Sequence, residues 1–289
     1  MNSRREFLRG AVAVGAAVAA GGARSAAAAD DGRKPWAPRL RIAHLTDPQF
    51  GFGQKYKTAP ENYREDLSRF EKEIEAVNAL KVDLALVTGD MTHIAEDLEK
   101  DWPRLVKAFR VPLLVAPGNH DMGNSVTSEN LDRFRSVFGY DRRAVDVGGW
   151  RVIAGNTQFL RTADLADEKA AYEAWLGDEL EKAKKYSGRV IIAGHHPPFV
   201  DLWNEKDTYE NFPYKLREGR MQMYLDAGAK FFLAGHTHRF TMRGYKDLTI
   251  LNAETTSRNF DMRHRGFRLF EVDEAMNYTY GYIRVQGLG

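Results

Sequence analysis

The 289-residue sequence contains no cysteine. Disulfides, thiolate zinc sites and thiol nucleophiles are therefore excluded, and any bound metal must rest on imidazole, carboxylate or amide ligands. Charge of one sign is also lacking: 42 Lys and Arg stand against 40 Asp and Glu, a formal net +2. Residues 1–29 hold Arg4, Arg5, Arg9 and Arg24 against Glu6, a net +3, which leaves about −1 for the remainder. A near-neutral chain has no general electrostatic attraction for nucleic acid or an anionic membrane. Long hydrophobic runs are missing as well. The apolar stretch Gly10 to Ala23 is built of Ala, Gly and Val, and is too short to span a ~30 Å hydrocarbon core comfortably. What is present is 43% hydrophobic and 11% aromatic residues, enough for a sizeable core.

That N-terminal stretch has the form of an address. Arg4-Arg5 precedes Phe7-Leu8, the weakly apolar run follows, and Ala26 to Ala29 supplies small residues for cleavage before Asp30. It resembles a twin-arginine export signal over residues 1–29. Residues 30–38 then read as a short linker and 39–289 as the functional domain. The expected partner of the leader is the twin-arginine machinery, which exports folded proteins. The expected location is periplasmic or secreted, without a stable membrane anchor.

Beyond the linker, strand-like and helix-like runs alternate. Strands are expected at 40–46, 82–87, 111–115, 150–154, 189–193 and 230–234, with three more at 248–251, 267–272 and 278–285. Leu67, Phe70, Ile74, Val77 and Leu80 fall on one face of a helix over 61–80, and further helices are expected over 97–109, 168–186 and 216–227. Leu131, Phe134 and Phe138 mark a short helix closed by Gly139. Strands alternating with helices, followed by a β-rich end, argue for one α/β domain with two packed sheets covered by helices.

The chemistry sits where strands end. Five strand ends carry ligand-type residues: Asp47 and Gln49, Asp90, Asn119 and His120, His195, and His236 with His238. Glycine precedes the polar residues in four of them, which lets the backbone turn sharply and approach a bound ion closely. Open α/β sheets place their sites at the carboxyl ends of strands. Two carboxylates, two amides and three or four imidazoles exceed the needs of one divalent ion and suit two ions sharing a carboxylate.

Asp-Pro-Gln, Gly-Asp, Gly-Asn-His-Asp, Gly-His-His-Pro and Gly-His-Thr-His, in that order, resemble the calcineurin-like metallophosphoesterase superfamily across roughly Leu40 to Val285. The resemblance implies a two-sheet β-sandwich flanked by helices in four αββα layers. It implies Asp47, Gln49 and His238 on a first metal, Asn119, His195 and His236 on a second, and Asp90 bridging both. His120 would be the general acid, protonating the leaving group, and Asp121 would orient its ring. A water or hydroxide held between two ions would be the nucleophile. The superfamily commonly has His where this chain has Gln49. An amide oxygen is a harder, weaker donor than imidazole, so manganese, iron or magnesium is expected at that position ahead of zinc. The Asp-Pro-Gln-Phe-Gly wording resembles a subgroup of single-domain Ser/Thr-type protein phosphatases.

The expected activity is hydrolysis of a phosphate ester, most directly a monoester. A phosphodiesterase and a non-catalytic metal-dependent binding module are the competing readings. Around the core set, His196 is a candidate rim residue and His93 a candidate substrate-facing one. Trp203 and Tyr209 lie in a segment without helical or strand period, Asp201 to Tyr214. That segment forms a lid over the metals or packs its own aromatics at the surface. His44, mid-strand, reads as a satisfied core histidine. Arg258, Arg263, Arg265 and Arg268 read as a solvated face.

Overall fold

A computed structural model describes residues 36–52, 59–162 and 164–285 of the chain. The twin-arginine leader lies outside the described residues. No helix among them is long and apolar enough to cross a membrane.

Two mixed sheets form the frame. The first holds β1 (Leu40–Leu45), β2 (Leu84–Thr88), β3 (Leu113–Ala116), β10 (Gly266–Val272) and β11 (Tyr278–Arg284), in the order β11-β10-β1-β2-β3. The second holds β4 (Arg143–Val147), β5 (Trp150–Ala154), β6 (Val190–Ala193), β7 (Ala229–Ala234), β8 (Thr241–Tyr245) and β9 (Leu248–Asn252), in the order β4-β5-β6-β7-β9-β8. Helices α1 (Ala59–Ala79) and α2 (Leu98–Ala108) connect the parallel strands of the first sheet. Helices α4 (Ala166–Ala183) and α5 (Tyr214–Asp226) connect those of the second, and α3 (Ser128–Phe138) follows β3.

The central strands carry apolar residues on both faces, and the period of two sorts those faces into separate cores. Leu40, Ile42, Leu84, Leu86 and Leu114 pack with Trp150, Val152, Ile191, Phe231 and Leu233 between the sheets. Their neighbours Ala43, Leu45, Ala85, Val87, Ile153, Ile192 and Phe232 face the helices, against Phe70, Ile74, Trp102, Leu176 and Tyr224. Two sheets back to back, each covered by helices, are the layers the sequence pattern called for. The short helix ends as expected: Thr127 accepts from the Asn130 N–H at its start, and Gly139 takes φ 79° at its close.

Two strands escape the sequence reading. β4 and β8 are edge strands whose residues are largely half-buried or exposed, so neither shows an apolar run. β4 pairs with β5 through the Gly148-Gly149 turn, with both φ positive, the conformation a two-residue hairpin requires. Arg268 also departs from expectation. It is buried, paired with Glu254 and packed over the rings of Phe240 and Tyr280, so it belongs to the fold and not to a solvated face.

One consequence of the topology carries the rest. β1, β2 and β3 run parallel, as do β5, β6, β7 and β9. Their carboxyl ends therefore deliver the loops after each strand to one rim of the sandwich.

Candidate metal centre

The rim brings the predicted ligands together. Asp47, Gln49, Asp90, His236 and His238 all adopt left-handed backbone conformations, with φ of 49°, 40°, 53°, 69° and 52°. A side chain with a Cβ is disfavoured there, and such strain gathers at functional sites. Glycines make the close approaches possible. A Cβ on Gly118 would lie 2.1 Å from Asp90 Oδ1 and 2.2 Å from its backbone N. Gly118→Ala is therefore expected to push the β3 loop off Asp90, costing about 1–3 kcal/mol of stability. Bound metal and turnover should fall together. A variant with wild-type melting temperature and metal content, measured by thermal denaturation and elemental analysis, would contradict this.

Around Asp90 four electron-rich atoms converge. His195 Nδ1 donates to the Thr88 carbonyl at 2.8 Å, which turns its Nε2 toward the centre. His236 Nε2 donates to the Tyr209 carbonyl at 3.0 Å, which leaves Nδ1 for the centre. His195 Nε2 then lies 3.0 Å from His236 Nδ1, 3.0 Å from Asn119 Oδ1 and 3.4 Å from Asp90 Oδ1. Only a positive charge satisfies such a set, either a proton on His195 or a cation in its place. Burial alone would lower His195, but the charges of Asp90 and Asp47 outweigh it and raise it to about 9. Asp90, His195 and His236 place one ligand atom each within 4.8 Å of one another.

A second set stands on the other side of Asp90. His238 Nδ1 donates to the Arg258 carbonyl at 2.7 Å, and its Nε2 lies 3.3 Å from Asp47 Oδ1. Asp47 Oδ1 and Gln49 Oε1 are buried without a hydrogen-bond partner. Gln49 Nε2 reaches Asp90 Oδ2 at 3.4 Å, linking this set to the first. Asp47's other oxygen is taken up by Thr46 Oγ1 at 2.5 Å and the His236 N–H at 2.9 Å. An ionised carboxylate loses several kcal/mol on leaving water. Burial would raise Asp47, yet His195 and His238 outweigh it and hold the carboxyl below its ordinary value. Two ionised carboxylates, two orphaned oxygens and three imidazoles, each fixed by a carbonyl through its other nitrogen, are a donor set suited to divalent cations.

His120 stands beside this centre. Its backbone N–H donates to Asp90 Oδ1 at 2.9 Å, and its Nδ1 donates to the His93 carbonyl at 2.9 Å. Its ring stacks on His93 with centroids 4.7 Å apart. The expectation that Asp121 orients that ring is not met. Asp121 Oδ1 accepts from the Met91 N–H at 2.8 Å and Oδ2 from the Gly118 N–H at 2.7 Å, so both oxygens are spent on bracing the β2 and β3 loops. A carboxylate one residue along a tight turn faces the backbone under the loop, while the imidazole faces out. Burial, then the charge of Asp90, pushes Asp121 up to about 7. His93 is half-buried and meets Phe52 as well as His120, so its carbonyl and ring position the imidazole.

The remaining candidates divide. Tyr209 reaches the centre twice: its carbonyl meets His236, and its hydroxyl meets Asn119 Nδ2 at 2.6 Å. Trp203 does not reach it. It packs on Tyr245, at the end of β8 opposite the rim, because the Arg217 guanidinium, buried under the segment, holds the Trp203, Glu205 and Phe212 carbonyls. His196 is buried, accepts at Nδ1 from Gln158 Nε2 at 3.2 Å, and lies 4.1 Å from the His236 ring. Burial, then His236 and His195, keeps it well below its ordinary pKa. His44 is the core histidine expected, bound to Tyr280 Oη and Thr88 Oγ1.

A groove of about 220 Å3 opens from Asn119 and His196, between the 122–126 loop and Gln158-Arg161-Thr162, beneath Tyr209. Gln158 and Arg161 were not read as site residues. Gln158 belongs to a strand end of the same kind, Gly155-Asn156-Thr157-Gln158, and that was the available signal.

A sandwich with buried cation ligands along one rim, and an imidazole beside them, defines a metal-dependent hydrolase. The calcineurin-like phosphoesterase family profile matches residues 40–240, and the chain belongs to that family. It is a phosphoesterase by family. Among its relatives, the serine/threonine-protein phosphatase CPPED1 of Bos taurus is 27% identical over 272 residues, 88% of this chain and 87% of its own length. A probable cyclic nucleotide phosphodiesterase of Vesicomyosocius okutanii is 25% identical over 209 residues, covering 70% of this chain and 82% of its own. The fold is shared with a dimetal phosphatase from Danio rerio, at a TM-score of 0.55 and 14% identity over 82% of this chain and 94% of that one.

Proposed function

We propose that the chain is a dinuclear phosphomonoesterase. Asp47, Gln49 and His238 would hold one divalent ion, Asn119, His195 and His236 the other, and Asp90 would be shared. The observation that carries this reading is the pair of unsatisfied donor sets meeting at Asp90. When bound, the ions supply an activated water and neutralise charge on the phosphoryl oxygens. The amide at Gln49 favours manganese, iron or magnesium over zinc there.

The chain's own part is proton delivery and alignment. With Nδ1 committed to the His93 carbonyl, Nε2 is the ring nitrogen left to face the leaving group, and the general-acid role requires it to hold the proton that is given up. As the bond between phosphorus and the leaving oxygen breaks, that oxygen takes the Nε2 proton. His93 fixes the ring plane by stacking, and the Asp90 contact to the His120 N–H fixes its distance from the shared ligand.

The deciding experiment compares kcat/KM for para-nitrophenyl phosphate and bis(para-nitrophenyl) phosphate with manganese added. The monoester is expected to be favoured on the order of tenfold or more. A preference for the diester would transfer the assignment to the phosphodiesterase reading, which the relative of that name supports. The likeness to the CPPED1 phosphatases supports the monoester.

Export through the twin-arginine route to the periplasm is proposed on Arg4-Arg5 and the Ala-rich run that follows. Replacing both arginines by lysine is expected to leave the precursor in the cytoplasm, as read by cell fractionation. Undiminished export of that variant would remove the proposal.

A further inference from the structure

The groove beside Asn119 has a chemistry that the metal centre does not use. Among the described residues its only cation is Arg161, and no carboxylate lines it. Arg161 is exposed at the groove mouth and, among the described residues, has no ion-pair partner; its Nη1 donates to the Asn211 carbonyl. Arg135, Arg220 and Arg239 contrast with it, each sitting on a carboxylate, while Arg217 is spent on three backbone carbonyls. The groove around Arg161 is rich in further donors. Asn124 Oδ1 accepts from Asn119 Nδ2 and Tyr209 Oη, so its own amide NH2 is free to donate. Ser125 and Thr162 contribute hydroxyls. A guanidinium with spare donors, set in a groove lined by neutral donors, is a site for an anion; Asp207 acts on it through space but makes no ion pair with it.

Two features place that anion relative to the reaction. Asn119 belongs to both the metal centre and the groove, so a group in the groove is adjacent to a phosphoryl group at the metals. The volume, about 220 Å3, is below the roughly 300 Å3 at which pockets begin to take drug-sized ligands. We propose that Arg161 is a specificity-determining residue that binds a second anionic group, a carboxylate or phosphate a few bonds from the scissile phosphoryl, and so selects small phosphate esters carrying two anions. This rests on the phosphoesterase reading of the centre given above.

Binding of two non-hydrolysable phosphonates to the manganese-loaded protein, followed by calorimetry, tests it. Phosphonoacetate carries the second anion and ethylphosphonate does not. Wild type is expected to bind phosphonoacetate more tightly by on the order of tenfold, the size of a charge-assisted contact. In Arg161→Gln that ratio should fall to near one, and Arg161→Lys should recover part of it. Thermal melting of both variants reports whether they fold. Equal affinity for the two phosphonates in wild type would overturn the proposal while leaving the phosphoesterase reading intact. An equal loss for both ligands in Arg161→Gln and Arg161→Lys would also overturn it, by showing that Arg161 only braces the Asn211 segment. Failure of both phosphonates to bind the wild-type protein would bring down both readings.

Discussion

Asp90→Asn should lose both bound metal and turnover, because Asp90 touches both donor sets. Its Oδ2 is reached by Gln49 and its Oδ1 lies 3.4 Å from His195 Nε2. The substitution keeps one oxygen to accept from the His120 N–H, so the loop geometry survives. What disappears is a buried negative charge between the two donor sets. Wild type should carry two ions per chain by elemental analysis, and the variant one or fewer. Several kcal/mol of electrostatic stabilisation go with them, so turnover is expected to fall on the order of 10³-fold. Thermal stability gives a readout independent of activity. A ligand present at about 1,000 times its Kd stabilises a fold by about 4 kcal/mol. Chelation should therefore lower the melting temperature of wild type markedly and of Asp90→Asn much less. Two ions retained by the variant would refute the shared carboxylate.

The electrostatics of the rim give this result a pH dependence. Asp90 is held below its ordinary value: burial would raise it, but His195 and His120 outweigh that. His195 is held up at about 9, since Asp90 and Asp47 outweigh its burial. Protons and cations thus compete for one place. Raising the pH toward 9 removes the competing proton, so metal affinity should rise with pH. The sign is fixed by the geometry, because the atom that carries the proton, His195 Nε2, is the one that faces the other ligands.

How much of this was legible in the sequence depends on what each feature rests upon. The sandwich was, because β2 and β6 are nearly unbroken apolar runs, and β1, β5 and β7 carry apolar residues on both faces around Arg41 and His44, Arg151 and Lys230. β4 and β8 were not, because an edge strand needs no such run. The convergence of the candidate donors was legible because strand ends of parallel strands share a rim whatever their separation in sequence. Residue roles that depend on where a side chain turns within a loop were not. Asp121 and His120 are neighbours, yet one braces the backbone beneath the loop and the other faces the centre. His93 lies 27 residues before His120 and holds its ring through a backbone carbonyl, a contact to which side-chain identity contributes nothing. Tyr209 and Trp203 differ for a similar reason. The buried Arg217 under their segment decides which aromatic reaches the centre, and nothing in the local sequence marks it as an anchor.

The role of His120 is open to the sharpest test, because it predicts a pattern as well as a loss. His120→Gln removes the transferable proton and leaves every metal ligand in place. Metal content should match wild type, in contrast to Asp90→Asn. A general acid contributes typically ~10²–10⁴-fold, and only where the leaving oxygen needs its proton. For an alkyl phosphate the leaving alkoxide is strongly basic, so turnover should fall by about that factor. For para-nitrophenyl phosphate the phenolate departs unprotonated, and the loss should be about tenfold or less. Across a series of aryl and alkyl phosphates, the dependence of log kcat on leaving-group pKa should be steeper in the variant than in wild type. His93 supplies a control that separates position from proton. His93→Ala keeps the carbonyl that accepts from His120 Nδ1 but removes the ring stacked 4.7 Å from it. It should slow all substrates by a similar, smaller factor and leave the slope unchanged. Parallel slopes for wild type and His120→Gln would show that the imidazole stabilises charge without giving up its proton.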